Sequence, residues 1–250
     1  MNYIIMFIIG AFLGSFYNVI GSRIPKEESI IYPPSHCTHC NHRLKPYELI
    51  PIISYIIQKG KCRKCHKKIG IIYPMSEIIT GIIFMISYKI YGPKPELIIT
   101  LTFISMLIII TISDLNYMII PDSILIFFTL ALAIEIAIIN GIDKLPIALI
   151  NGTISFIMMY LLKKLGDFIF KKESMGGGDI KLMFLIGMTL SFNQSLLTLF
   201  LASLIGLPLS LLLMKNKESH IIPFGPLLAI SACIIILTKI NITNIINIYS

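Results

Sequence analysis

Asp114 and Asp179 are the residues whose type and setting point to chemistry. Each stands where a nearly uncharged apolar run meets a short polar break. Asp114 follows Leu97–Ser113 and opens the segment Asp114-Leu-Asn-Tyr-Met-Ile-Ile-Pro-Asp122, whereas Asp179 ends the run Met175-Gly-Gly-Gly-Asp179 and precedes Ile180 and Lys181. An ionisable side chain at membrane depth costs about 2.5–3.5 kcal/mol on insertion scales, so it marks a functional position by default. Two such carboxylates brought together share one proton, the acid and base arrangement of an aspartic protease. Peptide hydrolysis needs those two roles, a base to activate water and an acid to polarise the carbonyl. Either residue alone also looks like a helix or loop cap; the two together, with the motifs below, favour the catalytic reading. Gly176, Gly177 and Gly178 allow unusual torsions and a close approach of a substrate strand, and so bare a loop suggests a gate.

The elements that must position these acids are membrane helices. Of 250 residues, 56% are hydrophobic and only 14% charged, against about 25% charged in soluble domains. Uncharged apolar runs cover Tyr3–Ile20, Ile78–Tyr88, Leu97–Ser113, Ser123–Leu132, Leu145–Leu162, Leu182–Met214 and Ile221–Thr238. The fourth extends to about Ile139, with Glu135 near one end. Tyr3–Ile20 has no basic residue before it and no small-residue cleavage site, so it is expected to remain as the first span. Leu182–Met214 is too long for a single span of about 20 residues, and its polar centre, Ser191–Ser195, predicts a hairpin. Eight spans with the N-terminus outside place 17 of the 21 Lys and Arg in the cytoplasmic loops 21–76, 114–122, 163–181 and 215–220, as the positive-inside rule requires. Seven spans would put Lys215 and Lys217 on the wrong side. The run Ile180–Ser191 is short, about 18 Å as helix against a hydrocarbon core of about 30 Å, which places Asp179 below the cytoplasmic surface or thins the bilayer. The third span is read as ending near Asp114 and a later one as opening at Asp179, so the helix dipoles alone would bias the shared proton towards Asp114. Asp179 is then the base and Asp114 the acid.

The one sizeable soluble segment, residues 21–76, contains Cys37-Thr-His-Cys40 and Cys62-Arg-Lys-Cys65. Two Cys-x-x-Cys turns closing on each other make the zinc-ribbon pattern, a structural Zn2+ site with no open coordination position. Disulfides are disfavoured in a reducing cytoplasm. Four thiolates complete the shell, which leaves His36, His39, His42 and His66 as surface residues and Cys233 as a packed thiol. The formal charge of +8 comes from residues beside apolar spans, where they meet anionic lipid headgroups. With no aromatic-interleaved basic groove, nucleic acid is excluded as a partner.

In order along the chain stand Gly14-Ser-Phe-Tyr-Asn18, Arg23-Ile-Pro25, the cysteine loop with Ile50-Pro-Ile-Ile-Ser-Tyr55 inside it, and Tyr73-Pro-Met-Ser-Glu77. After them come Asp114 to Pro121-Asp122, Gly176-x-Gly178-Asp179 with Lys181, and Pro223-Phe-Gly-Pro226. On these blocks the chain resembles the bacterial type IV prepilin peptidases, which are bifunctional leader peptidase/N-methyltransferases. The resemblance implies an inner-membrane aspartic endopeptidase acting at the cytoplasmic face. It would cut basic leaders from prepilin or pseudopilin precursors, after a glycine, and methylate the new N-terminus with S-adenosylmethionine. Asp114 and Asp179 fall on the family's two catalytic aspartates; Glu77 and Asp122 match acidic positions of open role. Asn116 stands where many relatives carry Asp, and Lys59 replaces the first glycine of a Gly-Gly-Lys-Cys segment, a change that bears on methylation rather than cleavage. There is no Gly-x-Gly-x-x-Gly turn and no soluble domain of Rossmann size.

The expected architecture is an all-α polytopic membrane protein of about eight transmembrane helices with a small cytoplasmic zinc-ribbon-like loop domain. The first span is residues 1–20, the cysteine domain 21–76 and the peptidase core 77–250. The competing readings are an intramembrane aspartic protease with other substrates and no methylation, a transporter, and a structural zinc protein. A transporter usually places its acids near the midplane on broken helices in repeated halves, and no repeat is present here; a structural zinc protein leaves both aspartate blocks unexplained.

Overall fold

The computed structural model describes residues 2–215 and 223–240, and among them the chain is helical with no strand. The long helices are α1 (Asn2–Arg23), α3 (Ile72–Tyr91), α4 (Glu96–Tyr117), α5 (Asp122–Ile139), α6 (Leu145–Phe170), α7 (Gly177–Leu190), α8 (Phe192–Lys215) and α9 (Gly225–Thr238), with a short α2 (Ile53–Ile57) in the cysteine segment. Each long helix falls on one of the eight expected runs. Five regions, Asn2–Lys26, Glu96–Tyr117, Asp122–Ile139, Ile142–Phe170 and Phe192–Ser210, are long and apolar enough by themselves to cross a bilayer. The basic loop after Lys215 lies outside the described residues. The chain divides into two compact units, Met1–Leu97 and Ile98–Ser250.

The first unit is built on an antiparallel pair, α1 against α3, with the cysteine segment between them in sequence. Lipid supplies no hydrophobic drive for two apolar helices to associate, so close backbone approach and hydrogen bonds do so instead. Gly10 and Gly14, four apart on α1, provide the approach: a Cβ on Gly14 would lie 2.8 Å from Thr80 Oγ1 and 3.1 Å from the Glu77 Cα. Below them Asn18 Nδ2 donates to Ser76 Oγ at 2.6 Å, and at the opposite end Asn2 Nδ2 donates to the Tyr88 hydroxyl at 2.9 Å.

In the second unit α6 and α7 form an antiparallel pair whose contact is again made by small residues. Ser155 packs on Gly187 and its hydroxyl shares a 2.7 Å hydrogen bond with Ser195 on α8. The expected hairpin at Ser191–Ser195 is tighter than its polarity implied. Only Ser191, with φ +90°, breaks the helix, and α8 resumes at Phe192, because the hydroxyls of Ser195 and Thr198 turn back onto the carbonyls of Phe192 and Gln194. The alternative reading of Asp179 as a helix cap does not hold: α7 starts at Gly177, so Asp179 is the third helical residue.

Gly14→Leu should therefore separate α1 from α3. Overpacking of this kind costs about 1–3 kcal/mol, and thermal denaturation in detergent should show a lowered midpoint while the protein still inserts.

Candidate active site

Three helix ends meet around the two aspartates. α4 stops just past Asp114, α7 begins just before Asp179, and α9 begins at Gly225, whose N–H donates to Asp114 Oδ2 at 3.1 Å. Both acids are buried and close enough for the charge of one to act on the other. After α4 the chain turns sharply: Ser113 Oγ donates to the Ile119 carbonyl at 2.5 Å and Met118 takes φ +55°. This turn lays Ile120 across the starts of α7 and α9. A Cβ on Gly178 would sit 2.7 Å from Ile120 Cβ, and one on Gly225 would sit 2.6 Å from Asp114 Oδ2 and 3.2 Å from Ile120 Cδ1. Those two glycines permit the approach; any side chain there would push the acids apart.

The glycine run thus works differently from its expectation. None of Gly176, Gly177 and Gly178 has positive φ, and two of them form the first turn of α7, so close approach is what requires a glycine at 178. Gly176 lies close to Asp179 Oδ2, whereas Asp179 Oδ1 is buried without a hydrogen-bond partner. Helix ends do not decide where the proton rests. Gly225 brings a helix N-terminus to Asp114, and Asp179 sits at another, so dipoles no longer separate the two acids. What differs is burial: Asp179 Oδ1 is closed off from solvent.

The Gly225 hydrogen bond also fixes helix parity. It puts the start of α9 at the same end of the bundle as the end of α4, which requires an even number of crossings between them; α5, α6, α7 and α8 supply four. Asp122, the first residue of α5, is held by Lys181 on α7 at 2.7 and 2.8 Å. The pair is exposed, and such pairs contribute about 0–1 kcal/mol. Asn116 turns back to the Ile112 carbonyl at 2.7 Å and stays out of this network.

In the first unit, Cys37, Cys40, Cys62 and Cys65 bring their sulfurs within 4.8 Å of one another, with Cys37 to Cys65 at 3.8 Å and Cys40 to Cys62 at 3.9 Å. Tetrahedral Zn–S bonds of about 2.3 Å place sulfurs about 3.8 Å apart, so the cluster can hold a metal ion. The two halves are built alike. Cys37 N–H bonds the His42 carbonyl and Asn41 N–H the Cys37 carbonyl; Cys62 N–H bonds the Lys67 carbonyl and His66 N–H the Cys62 carbonyl, all at 2.9 Å. Asn41 and His66 occupy the left-handed position of each turn. The N–H groups of His39 and Cys40 lower the Cys37 thiol to about 7 and those of Cys65 and Lys64 lower Cys62, whereas burial and the neighbouring sulfurs push Cys40 up to about 11. Among the described residues no histidine joins the cluster: His36 Nδ1 lies 2.9 Å from the Pro34 carbonyl and His42 lies 3.5 Å from Glu48. Buried Glu48, which also faces Arg63 at 3.9 Å, links the two turns and was not singled out in the sequence.

Glu77 has a role that its sequence position left open. Its buried Oε2 accepts the Ile52 N–H at 2.7 Å, with the Ser15 hydroxyl as a second partner. Ile52 has φ +63° and ψ −53°, and Ile53 N–H closes onto the Pro51 carbonyl at 2.6 Å. This is a positive-φ γ-turn on a β-branched residue, rare and strained by about 1–3 kcal/mol. Lys59 takes φ +50°, a conformation that a glycine adopts freely.

Among curated proteins, the prepilin leader peptidase/N-methyltransferase of Bacillus subtilis is 36% identical over 228 residues, covering 90% of both chains. The chain belongs to the type IV leader peptidase family. A namesake from Myxococcus xanthus is 32% identical over 84% of this chain and 63% of its own length, and one from Pseudomonas putida 27% identical over 92% and 88%. The model of the bacterial peptidase A24 N-terminal domain matches residues 8–91, spanning α1, the cysteine segment and α3, and that of the type IV leader peptidase family matches residues 101–211, spanning both aspartates. No solved structure gives a significant match.

Removing the Glu77 acceptor should release the strained turn. In limited proteolysis of the full-length protein, Glu77→Ala should be cut faster within Leu49–Gln58, whereas Glu77→Gln, which retains an acceptor oxygen, should stay close to wild type.

Proposed function

We propose that this family member cleaves the basic leader of prepilin or pseudopilin precursors and then methylates the new N-terminus, with Asp114 and Asp179 as its catalytic pair. The observation that carries the peptidase reading is the meeting of the two buried aspartates at helix ends, made possible by Gly178 and Gly225. Asp179 Oδ1, the carboxylate oxygen without a protein partner, takes the proton from the attacking water. Asp114, anchored by Gly225, donates its proton to the carbonyl oxygen as the water oxygen bonds to the carbonyl carbon. Collapse of the diol breaks the C–N bond: the proton now on Asp179 leaves with the amine, and a diol hydroxyl returns its proton to Asp114. Asp122 binds Lys181 and has a supporting part.

S-adenosylmethionine supplies an electrophilic methyl group when bound; this chain would offer the cleaved amine to it. The described residues contain no strand, so the site is not of the strand–glycine loop–helix kind. Zn2+ is the metal that suits Cys37, Cys40, Cys62 and Cys65, and it closes the loop structurally. The charge distribution along the chain supports eight spans in the cytoplasmic membrane with the aspartates at the cytoplasmic side, where a leader still attached to an apolar helix is reached. The cysteine segment favours this reading over an intramembrane protease of other substrates, which has no need of it.

Incubating the purified protein with prepilin and labelled S-adenosylmethionine tests both halves. Asp114→Asn and Asp179→Asn should each abolish leader removal while the protein remains inserted, and Asp122→Asn should reduce it less. Near-normal cleavage by either of the first two would remove the pair from the mechanism. Gly225→Val should lower the rate by about a hundredfold through displacement of Asp114. Metal analysis should find about one zinc per chain, lost together with loop stability in Cys62→Ser; zinc-free active protein would refute the metal assignment.

A further inference from the structure

The cysteine segment carries an apolar face that neither the metal site nor the proposed chemistry uses. Ile53, Ile56 and Ile57, at positions i, i+3 and i+4, share one side of α2 and are 54%, 67% and 63% exposed. Tyr55 faces the other way: a Cβ on Gly60 would lie 2.9 Å from its hydroxyl oxygen.

The Glu77 hydrogen bond fixes where this face lies. Glu77 is five residues into α3, about 7.5 Å along its axis, and it holds Ile52, the residue before α2. α2 therefore starts beside the second turn of a membrane helix, not out in solvent. Glu77 immediately precedes the apolar run that begins at Ile78, so α2 is tethered at the level where that run enters the bilayer, and interfacial helices bury their apolar face by about 5–10 Å at that boundary. Ile71 and Met75, at the start of α3, are also exposed.

Charge identifies what covers the face. Residues 21–76 hold ten Lys and Arg against three acids, Glu27, Glu28 and Glu48. An isoleucine face within so cationic a segment is complementary to an anionic bilayer surface. We propose that α2 is an interfacial helix whose Ile53, Ile56 and Ile57 insert into the adjacent leaflet, its depth set by Glu77 through the turn at Ile52. The proposal rests on the membrane placement of α1 and α3 and not on the peptidase chemistry.

The chain has no tryptophan, so single reporters are clean. Ile56→Trp and Ile53→Trp, each in the full-length protein in bilayers containing phosphatidylglycerol, are compared with Lys64→Trp on an exposed cysteine turn. The isoleucine positions should give blue-shifted emission, severalfold stronger quenching by lipids brominated on their acyl chains than Lys64→Trp, and weak quenching by iodide. Iodide quenching equal to that of Lys64→Trp would overturn the proposal by placing α2 in water. Protection from both quenchers would overturn it in favour of a protein partner. Two reporter positions keep the test decisive if one variant misfolds, and leader cleavage on the same samples reports separately on the peptidase reading.

Discussion

Two carboxylates can be brought together at the end of a membrane bundle only if something offsets their desolvation and mutual repulsion. Here the offset comes from backbone amides at helix starts, and it depends on the absence of two β-carbons. Gly225 lets the first N–H of α9 reach Asp114 Oδ2, and Gly178 lets Ile120 lie flat against the first turn of α7. The rest of the second unit is arranged around that approach. α4 must end, and α7 and α9 begin, at one end of the bundle, so the chain must cross an even number of times between α4 and α9. The one-residue break at Ser191 secures this, returning the chain directly from the short α7 into α8.

The first unit solves a related problem, a polar segment that must be held at the end of two apolar helices. Glu77 does so from within α3 by accepting the amide of a strained turn. The strain is sustained because the acceptor is buried and the α1–α3 contact behind it is close-packed through Gly10 and Gly14. Beyond the turn, two matching cysteine loops converge on a four-sulfur cluster, with Glu48 facing both His42 and Arg63. The loop is thus fixed at both ends, by a carboxylate in the membrane helix and by the four-sulfur cluster outside it.

The eight helices were legible because charge-free runs and basic loops are one-dimensional signals, and the parity they implied agrees with the Gly225 hydrogen bond. The cysteine cluster was legible from spacing alone. The local backbone was less so. The polarity of Ser191–Ser195 located the hairpin but not its length, because serine and threonine hydroxyls bond backward within the helix and leave Ser191 alone as the break. The glycine run suggested unusual torsions, whereas steric approach to Ile120 is the actual need. Gly225 stood in plain sight within Pro223-Phe-Gly-Pro226, but its partner is 111 residues away, and no local pattern encodes such a contact. The contact between Glu77 and Ile52 escaped for the same reason.

The account's central claim is that Asp114 and Asp179 form one coupled acid pair, and infrared titration of the carboxyl stretch tests it most directly. In wild type the pair should titrate as a unit. In Asp114→Asn the remaining Asp179 band should then move its midpoint by about one pH unit or more, the signature of interacting sites. An Asp179 midpoint unchanged by loss of Asp114 would mean that the two acids do not interact, and would contradict the account.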